Sequence, residues 1–306
     1  MTIIDNLKRT IMKKSIISLL TIACALIINN KAQAQQDPNF TLYNFNMNVI
    51  NPAYAGTQET PELNVVYRSQ WIGIDDSPRT ATFVYSRALG NNLGIGITAM
   101  NDRVFVLDQT DIAVDLSYKL KLGEESNLYF GMKLGGGFVN IDLARANAPG
   151  TDLLFAQNQS FFNPHVGAGM YIDTKDFYIS VSTPNFLNGD RYEKNGNVPS
   201  AAVENMHLYL GGGYHFSVND KLVVTPRVMV RTVAGAPASY DLGSSLMFDE
   251  KLTAGVNYRV DELYSVYGMI KFFDKLQFGI AYDITKDSSL INDDGSLEFL
   301  VKYQFK

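Results

Sequence analysis

The chain has 306 residues, a formal net charge of −5 and 46% hydrophobic residues, and its mean hydropathy is −0.05. That is too polar for a bundle of membrane helices, and acidity without a basic stripe excludes nucleic acid as the main partner. The length suits one large domain or two small ones.

The N-terminus reads as a leader. Lys13 and Lys14 precede an apolar run from Ile16 to Ile28, and Ala32-Gln33-Ala34 follows. A charged n-region, an apolar h-region and an A-x-A site predict a signal peptide over 1–34, cut after Ala34. The run is short for a membrane anchor at about 1.5 Å per residue. Either Met1 or Met12 can start such a leader. The single cysteine, Cys24, lies inside it. Thr21 stands where a lipobox prefers Leu, so no lipoprotein is expected. The mature chain is then left without disulfide, thiol catalysis or thiolate metal site.

Residues 35–61 are rich in Asn and aromatics and hold Pro38, Pro52 and Pro61. They are expected to form an N-terminal arm with at most a helical turn. Asn51-Pro52-Ala53-Tyr54-Ala55-Gly56 is turn chemistry with small residues. It suits folding against a wall or into a lumen.

From residue 62 to the end, apolar and polar residues alternate in segment after segment. In 111–120, Ile112, Val114, Leu116, Tyr118 and Leu120 share one parity, and Asp111, Asp115, Ser117 and Lys119 share the other. A period of two places these sets on opposite faces of a strand. Repeated along a chain behind a leader, the pattern predicts an all-β, antiparallel transmembrane β-barrel of the outer-membrane type, with about 14 strands over 62–306. Candidate strands are 62–70, 79–88, 93–101, 111–121, 127–138, 163–173, 175–183, 205–217, 220–231, 239–248, 251–260, 263–272, 275–284 and 295–305. Most reach the roughly 9–11 residues that a tilted membrane strand needs.

Connection lengths support this reading. Even-numbered connections are tight, for example Gly90-Asn91-Asn92 and Asp249-Glu250. Odd-numbered ones are long, near 71–78, 102–110, 139–162, 184–204, 232–238 and 285–294, with Asp261-Glu262 the one exception. Short periplasmic turns and long extracellular loops are the rule for such barrels, which places both termini in the periplasm. The apolar parity, such as Phe278, Ile280, Tyr282 and Ile284, is assigned to membrane lipid. A charge there costs about 2–4 kcal/mol at the bilayer midplane. Pro226 removes a ladder donor, so a bulge or strand end is expected at that point. Tyr303 and Phe305 close an amphipathic final strand resembling the signal read by barrel-assembly machinery, although Lys306 follows the aromatic.

Little suggests catalysis. His165, His207 and His215 all carry lumen parity. His207 and His215 stand eight residues apart in one strand, about 26 Å at 3.3 Å per residue, too far to share a metal. No Ser–His pair of the kind placed at a lipid-facing rim is legible. Asp115, Lys119, Lys133, Arg227, Arg231, Arg259, Lys271, Asp283, Glu298 and Lys302 also have lumen parity. Mixed signs suggest a lumen closed by ion pairs more than a selective pore, where one sign lines a constriction. Gly135-Gly136-Gly137 and Gly211-Gly212-Gly213 lie inside strand patterns and open no helix, so they are not phosphate loops. No catalytic, cofactor or metal site is assigned.

Two stretches carry more than barrel periodicity. One is Asp37-Pro38-Asn39-Phe40-Thr41-Leu42-Tyr43 followed by Asn51-Pro52-Ala53-Tyr54-Ala55-Gly56. The other is Tyr67-Arg68-Ser69-Gln70-Trp71-Ile72-Gly73 followed by Pro78-Arg79-Thr80. Together they resemble the PorP/SprF family of type IX secretion system membrane proteins from Bacteroidetes. The resemblance implies a non-enzymatic outer-membrane barrel that supports secretion or surface anchoring of particular cargo, including gliding adhesins, and that works with type IX components and a periplasmic, peptidoglycan-binding partner. A passive porin or hydrophobic-solute channel, and a lipid-modifying enzyme, are the rival readings. Phe40, Tyr43, Asn51, Pro52, Tyr54, Gly56, Arg68 and Trp71 are the candidate arm and partner contacts. Arg68, with lumen parity, is placed to tie the arm to the wall. Trp71 follows the first strand at the expected extracellular rim, where an amphipathic ring suits an interface.

Overall fold

The computed structural model describes residues 38–58, 60–146, 158–187, 189–190, 203–204, 206–233, 236–286 and 294–305. The leader expected over 1–34, with Cys24, and the start of the arm lie outside them. So do the centres of the long connections near 139–162, 184–204 and 285–294.

Fourteen antiparallel strands close on themselves. They are β1 (Glu62–Ser69), β2 (Arg79–Gly90), β3 (Leu93–Val104), β4 (Leu107–Lys121), β5 (Ser126–Ile141), β6 (Gln159–Thr174), β7 (Phe177–Thr183), β8 (His207–Tyr214 continuing as Phe216–Asn219), β9 (Leu222–Val233), β10 (Ser239–Phe248), β11 (Leu252–Arg259), β12 (Leu263–Phe272), β13 (Leu276–Thr285) and β14 (Ser296–Gln304). Each pairs with its sequence neighbours. β14 returns to β1 from Glu62↔Gln304 to Ser69↔Leu297, so the barrel leaves no open edge. A two-residue ribbon, Gly189–Asp190 with Val203–Glu204, lies outside the barrel sheet. Among the described residues no helix is long and apolar enough to cross a membrane.

Alternation sorts the faces as expected. Ile112, Val114, Leu116, Tyr118 and Leu120 are exposed on the outside of β4, while Asp111, Asp115 and Ser117 are buried inside. The tight turns use left-handed backbone at Asn91, Asn92, Asp249, Glu250, Phe273 and Asp274, which is the two-residue hairpin geometry that matches strand twist.

One expectation needs correction and another is refined. The connection expected over 102–110 is a hairpin of only Phe105 and Val106. β3 and β4 extend past the apolar alternation. There the ladder is held by polar pairs, with Arg103 and Asn101 both donating to Asp108. Polar residues on both faces read as loop in the sequence, yet they serve equally a strand that projects into water. At Pro226, where a bulge or strand end is expected, the ladder is interrupted, but on the partner strand. β9 pairs in register with β10 straight through Pro226↔Ser244. The interruption falls on β8, whose pairing with β9 stops at Gly213↔Arg227 and resumes at Phe216↔Val224. The missing N–H therefore faces β8, and the neighbouring strand is the one that breaks.

Candidate functional site: an arm docked in the lumen

Residues 38–58 run through the barrel interior as three short 3₁₀ turns, Tyr43–Phe45, Met47–Val49 and Pro52–Tyr54. No regular element could form here. Asn-rich sequence broken by Pro52 competes with the backbone for hydrogen bonds. Asn51 caps the third turn by accepting from the Ala53 N–H at 2.9 Å. Wall side chains bond the arm's backbone at Thr41, Leu42, Asn48, Ile50, Ala55 and Gly56.

The first half of the arm is gripped by charge. Arg68 on β1 lies 2.6 Å from Asp283 on β13 and 3.1 Å from Glu298 on β14. The Glu298 carboxylate accepts the backbone N–H groups of Thr41 at 2.8 Å and Leu42 at 3.0 Å. The Thr41 hydroxyl donates to Asp283 at 2.7 Å. Arg68 thus reaches the arm through two carboxylates that it bridges, and all three side chains are essentially fully buried. Leu42, 0% exposed, sits over an apolar row of the wall. In that row Val66 pairs with Leu300, Leu300 with Gly279 and Gly279 with Met269. A Cβ at Gly279 would stand 3.4 Å from the Leu42 side chain. Phe40, Tyr43, Met47 and Ile50 join the same core with Tyr129, Tyr171, Tyr209, Met229 and Tyr267. Burial pushes the Tyr43 phenol well above its ordinary range, so it is neutral.

The second half lies on a stripe of small residues. Gly94 on β3, Ser117 on β4, Gly131 on β5, Gly169 on β6 and Ser182 on β7 follow one another in register across five strands. A Cβ at Gly131 would stand 2.1 Å from the Ala53 nitrogen, one at Gly169 2.0 Å from the Asn51 amide oxygen, and one at Gly94 2.3 Å from the Ala55 carbonyl. Those glycines are the shape of the Asn51–Ala55 backbone. Hydrogen bonds fix its register. The Asn51 amide donates to the Ser180 hydroxyl at 2.8 Å and the Met170 carbonyl at 3.0 Å. Ser182 donates to the Ile50 carbonyl at 2.7 Å, and the Gly56 N–H to Ser86 at 2.8 Å. Gly56 takes a φ of +68°, which favours glycine. Tyr54 packs edge-on against Tyr171 at 5.3 Å between centroids. Lys133, paired with Asp115 at 2.9 Å, donates to the Asn48 carbonyl.

The structure therefore gathers Phe40, Tyr43, Asn51, Pro52, Tyr54, Gly56 and Arg68 in one interior interface. Trp71 is elsewhere, on the connection after β1. There its backbone N–H donates to the Ser296 hydroxyl, and Ile72 pairs with the backbone of Asp294 and Gly295. Sequence reasoning missed the inward apolar row and the small-residue stripe. Their signal was present: Val66 between Asn64 and Arg68, Met229 between Arg227 and Arg231, and Leu300 between Glu298 and Lys302 break an otherwise polar parity. All three histidines point inward as parity indicated. Among the described residues no group of three or more His, Cys, Asp or Glu side chains could hold a metal ion.

Comparison with solved structures finds outer-membrane barrels. A TodX mutant, described as a monoaromatic hydrocarbon channel, aligns at TM-score 0.50 and 12% identity over 83% of this chain and 92% of its own. The Acinetobacter baumannii outer membrane protein Omp33 aligns at 0.47 and 9%, over 82% and 100%. A Pseudomonas aeruginosa FadL homologue aligns at 0.45 and 12%, over 88% and 95%. At such identities the likeness is one of fold. Comparison with curated proteins gave no match. Residues 32–303 match the family described as type IX secretion system membrane protein PorP/SprF.

Proposed function

The chain belongs to the PorP/SprF family of type IX secretion system membrane proteins, and from that premise we propose that it supports secretion or surface anchoring of specific adhesin-like cargo, gliding adhesins among them, without enzymatic activity of its own. In this reading the barrel sits in the outer membrane with both termini in the periplasm. The arm is a plug whose docking in the lumen closes the barrel at rest, and it is the element through which type IX components or a periplasmic peptidoglycan-binding partner act. The long connection bearing Trp71 offers a contact for cargo on the outer side.

The observation that carries the proposal is the arm's specific seat. Two consecutive backbone N–H groups sit on one buried carboxylate, and three wall glycines are moulded to the Asn-Pro-Ala-Tyr-Ala segment. A passive water-filled porin keeps its lumen open. The test deletes residues 38–58 and keeps the leader. The barrel is expected to assemble, as read by heat-modifiable migration, while cargo disappears from the cell surface. Wild-type cargo delivery by the deleted form would overturn the proposal.

A further inference from the structure

The arm has a direction. Its first contacts lie at the rim of the long connections. Glu298, which holds the Thr41 and Leu42 N–H groups, is the third residue of β14, and Asp283, which takes the Thr41 hydroxyl, stands two residues before the end of β13. Asn39 borders a small cavity with His207, Val233 and Ser239, which begin β8, end β9 and begin β10. Ala236 and Pro237, on the connection between β9 and β10, complete its lining.

The last contacts lie at the opposite rim. The Gly56 N–H donates to Ser86, and a Cβ on Gly56 would stand 2.7 Å from the Gly94 Cα, so the arm there touches both strands beside the Asn91-Asn92 turn. The Pro61 carbonyl accepts from the Phe305 N–H just past the end of β14. β2 records the descent between the two rims. Asn46 donates to Thr82, and Gly56 reaches Ser86, nearer the tight turn. Along β14, the rise from Phe305 to Glu298 is about 23 Å at roughly 3.3 Å per residue. The two ends of the barrel strands thus lie together at the tight turns, with the start of the arm across the lumen from them.

The lumen gives the chain no way back. Leu42, Asn48, Asn51 and Ala53 are 0% exposed. A second pass of backbone beside them would have to open the contacts that bury them. Pro38 and Asn39, both half-buried, face the rim of the long connections.

From this course we infer that the arm threads the full height of the barrel and presents its N-terminal end at the outer mouth, on the cell-surface side. Which side is outer rests on the proposed orientation, with tight turns in the periplasm; the traverse itself does not. A polypeptide outside the cell then reaches the plug without crossing the membrane. A periplasmic one meets only the end near Tyr54–Gln58.

Single-cysteine variants in whole cells test this. The chain's one cysteine, Cys24, lies in the expected leader. Pro38→Cys, Asp75→Cys on the connection after β1 and Glu124→Cys in the tight turn after β4 therefore each carry one thiol in the mature chain. Cells are treated with a membrane-impermeant maleimide, intact or after permeabilisation. Pro38→Cys is expected to label on intact cells to the same extent as Asp75→Cys, while Glu124→Cys labels only after permeabilisation. Should Pro38→Cys fail to fold, a FLAG epitope inserted between Gln36 and Asp37 is expected to bind its antibody on intact cells. Pro38→Cys shielded on intact cells beside a labelled Asp75→Cys, or an epitope detected only after permeabilisation, would overturn the traverse. Glu124→Cys labelled on intact cells, with the other two shielded, would overturn the orientation instead, and the surface-side presentation with it.

Discussion

Gly131→Val tests the seat of the arm most cleanly. The wall itself has no objection, because valine favours strands. The arm does. A Cβ at Gly131 would lie 2.1 Å from the Ala53 nitrogen and 2.3 Å from the Pro52 carbonyl carbon, against an ordinary contact of 3.4 Å or more. Both neighbours are backbone, so the segment must retreat by about an ångström instead of rotating a side chain away. That retreat strains the hydrogen bonds on either side, from Asn51 to Ser180 and Met170, from Ser182 to Ile50 and from Gly56 to Ser86. At about 1 kcal/mol net for each bond, losing two to four of them weakens docking by about 2–4 kcal/mol. The population of undocked arm then rises about 30-fold to 1000-fold. Hydrogen exchange followed by mass spectrometry reads this directly in peptides covering residues 47–58. Met132→Val, on the lipid-facing side one residue away, is the control. Arm peptides as protected in Gly131→Val as in the control would refute the reasoning.

Four further outcomes are expected. Glu298→Gln places an amide where a carboxylate accepts from Arg68, Thr41 and Leu42, and should lower stability by about 3–5 kcal/mol in a urea titration; a loss below 1 kcal/mol would show that the clamp is not essential. Lys133→Met strands the Asp115 carboxylate at a similar cost, whereas Asp115→Leu combined with Lys133→Met should recover most of it. A double variant no more stable than the single one contradicts this. Leu42→Ala should cost about 2–5 kcal/mol and speed proteolytic clipping of the arm, with the barrel strands still resistant. Trp71→Ala should leave assembly intact and reduce cargo at the surface; unchanged cargo would make Trp71 an ordinary rim aromatic.

The barrel was legible because its physics is local. Each strand states its own inside and outside through a period of two, and hairpin turns declare themselves by Asn-Asn or Asp-Glu pairs. Pairing order then follows from chain order alone. Where alternation ended, legibility ended too: Asn101-Asp102-Arg103 and Asp108-Gln109-Thr110 look like loop, since a projecting hairpin has no oily face to advertise. The arm is the harder case. Its turns draw their hydrogen bonds from Ser86, Ser180, Ser182 and Glu298, which lie up to 257 residues away. No local pattern encodes such partners. The glycines that receive it are indistinguishable by sequence from glycines that merely ease strand curvature. Only the register, which aligns Gly94, Ser117, Gly131, Gly169 and Ser182 across five strands, turns scattered small residues into a surface. Arg68 was legible as an inward cation near the arm. That it works through two carboxylates on the last two strands was not, because barrel closure alone brings those strands beside the first.

The central claim is that the arm fills and closes the lumen. Single-channel recording in planar bilayers tests it most directly, comparing the full-length protein with the form lacking residues 38–58. The account predicts little or no conductance from the full-length protein and large, steady openings once the arm is removed. Large steady openings already present in the full-length protein, unchanged by the deletion, would contradict it and return the barrel to the class of passive channels.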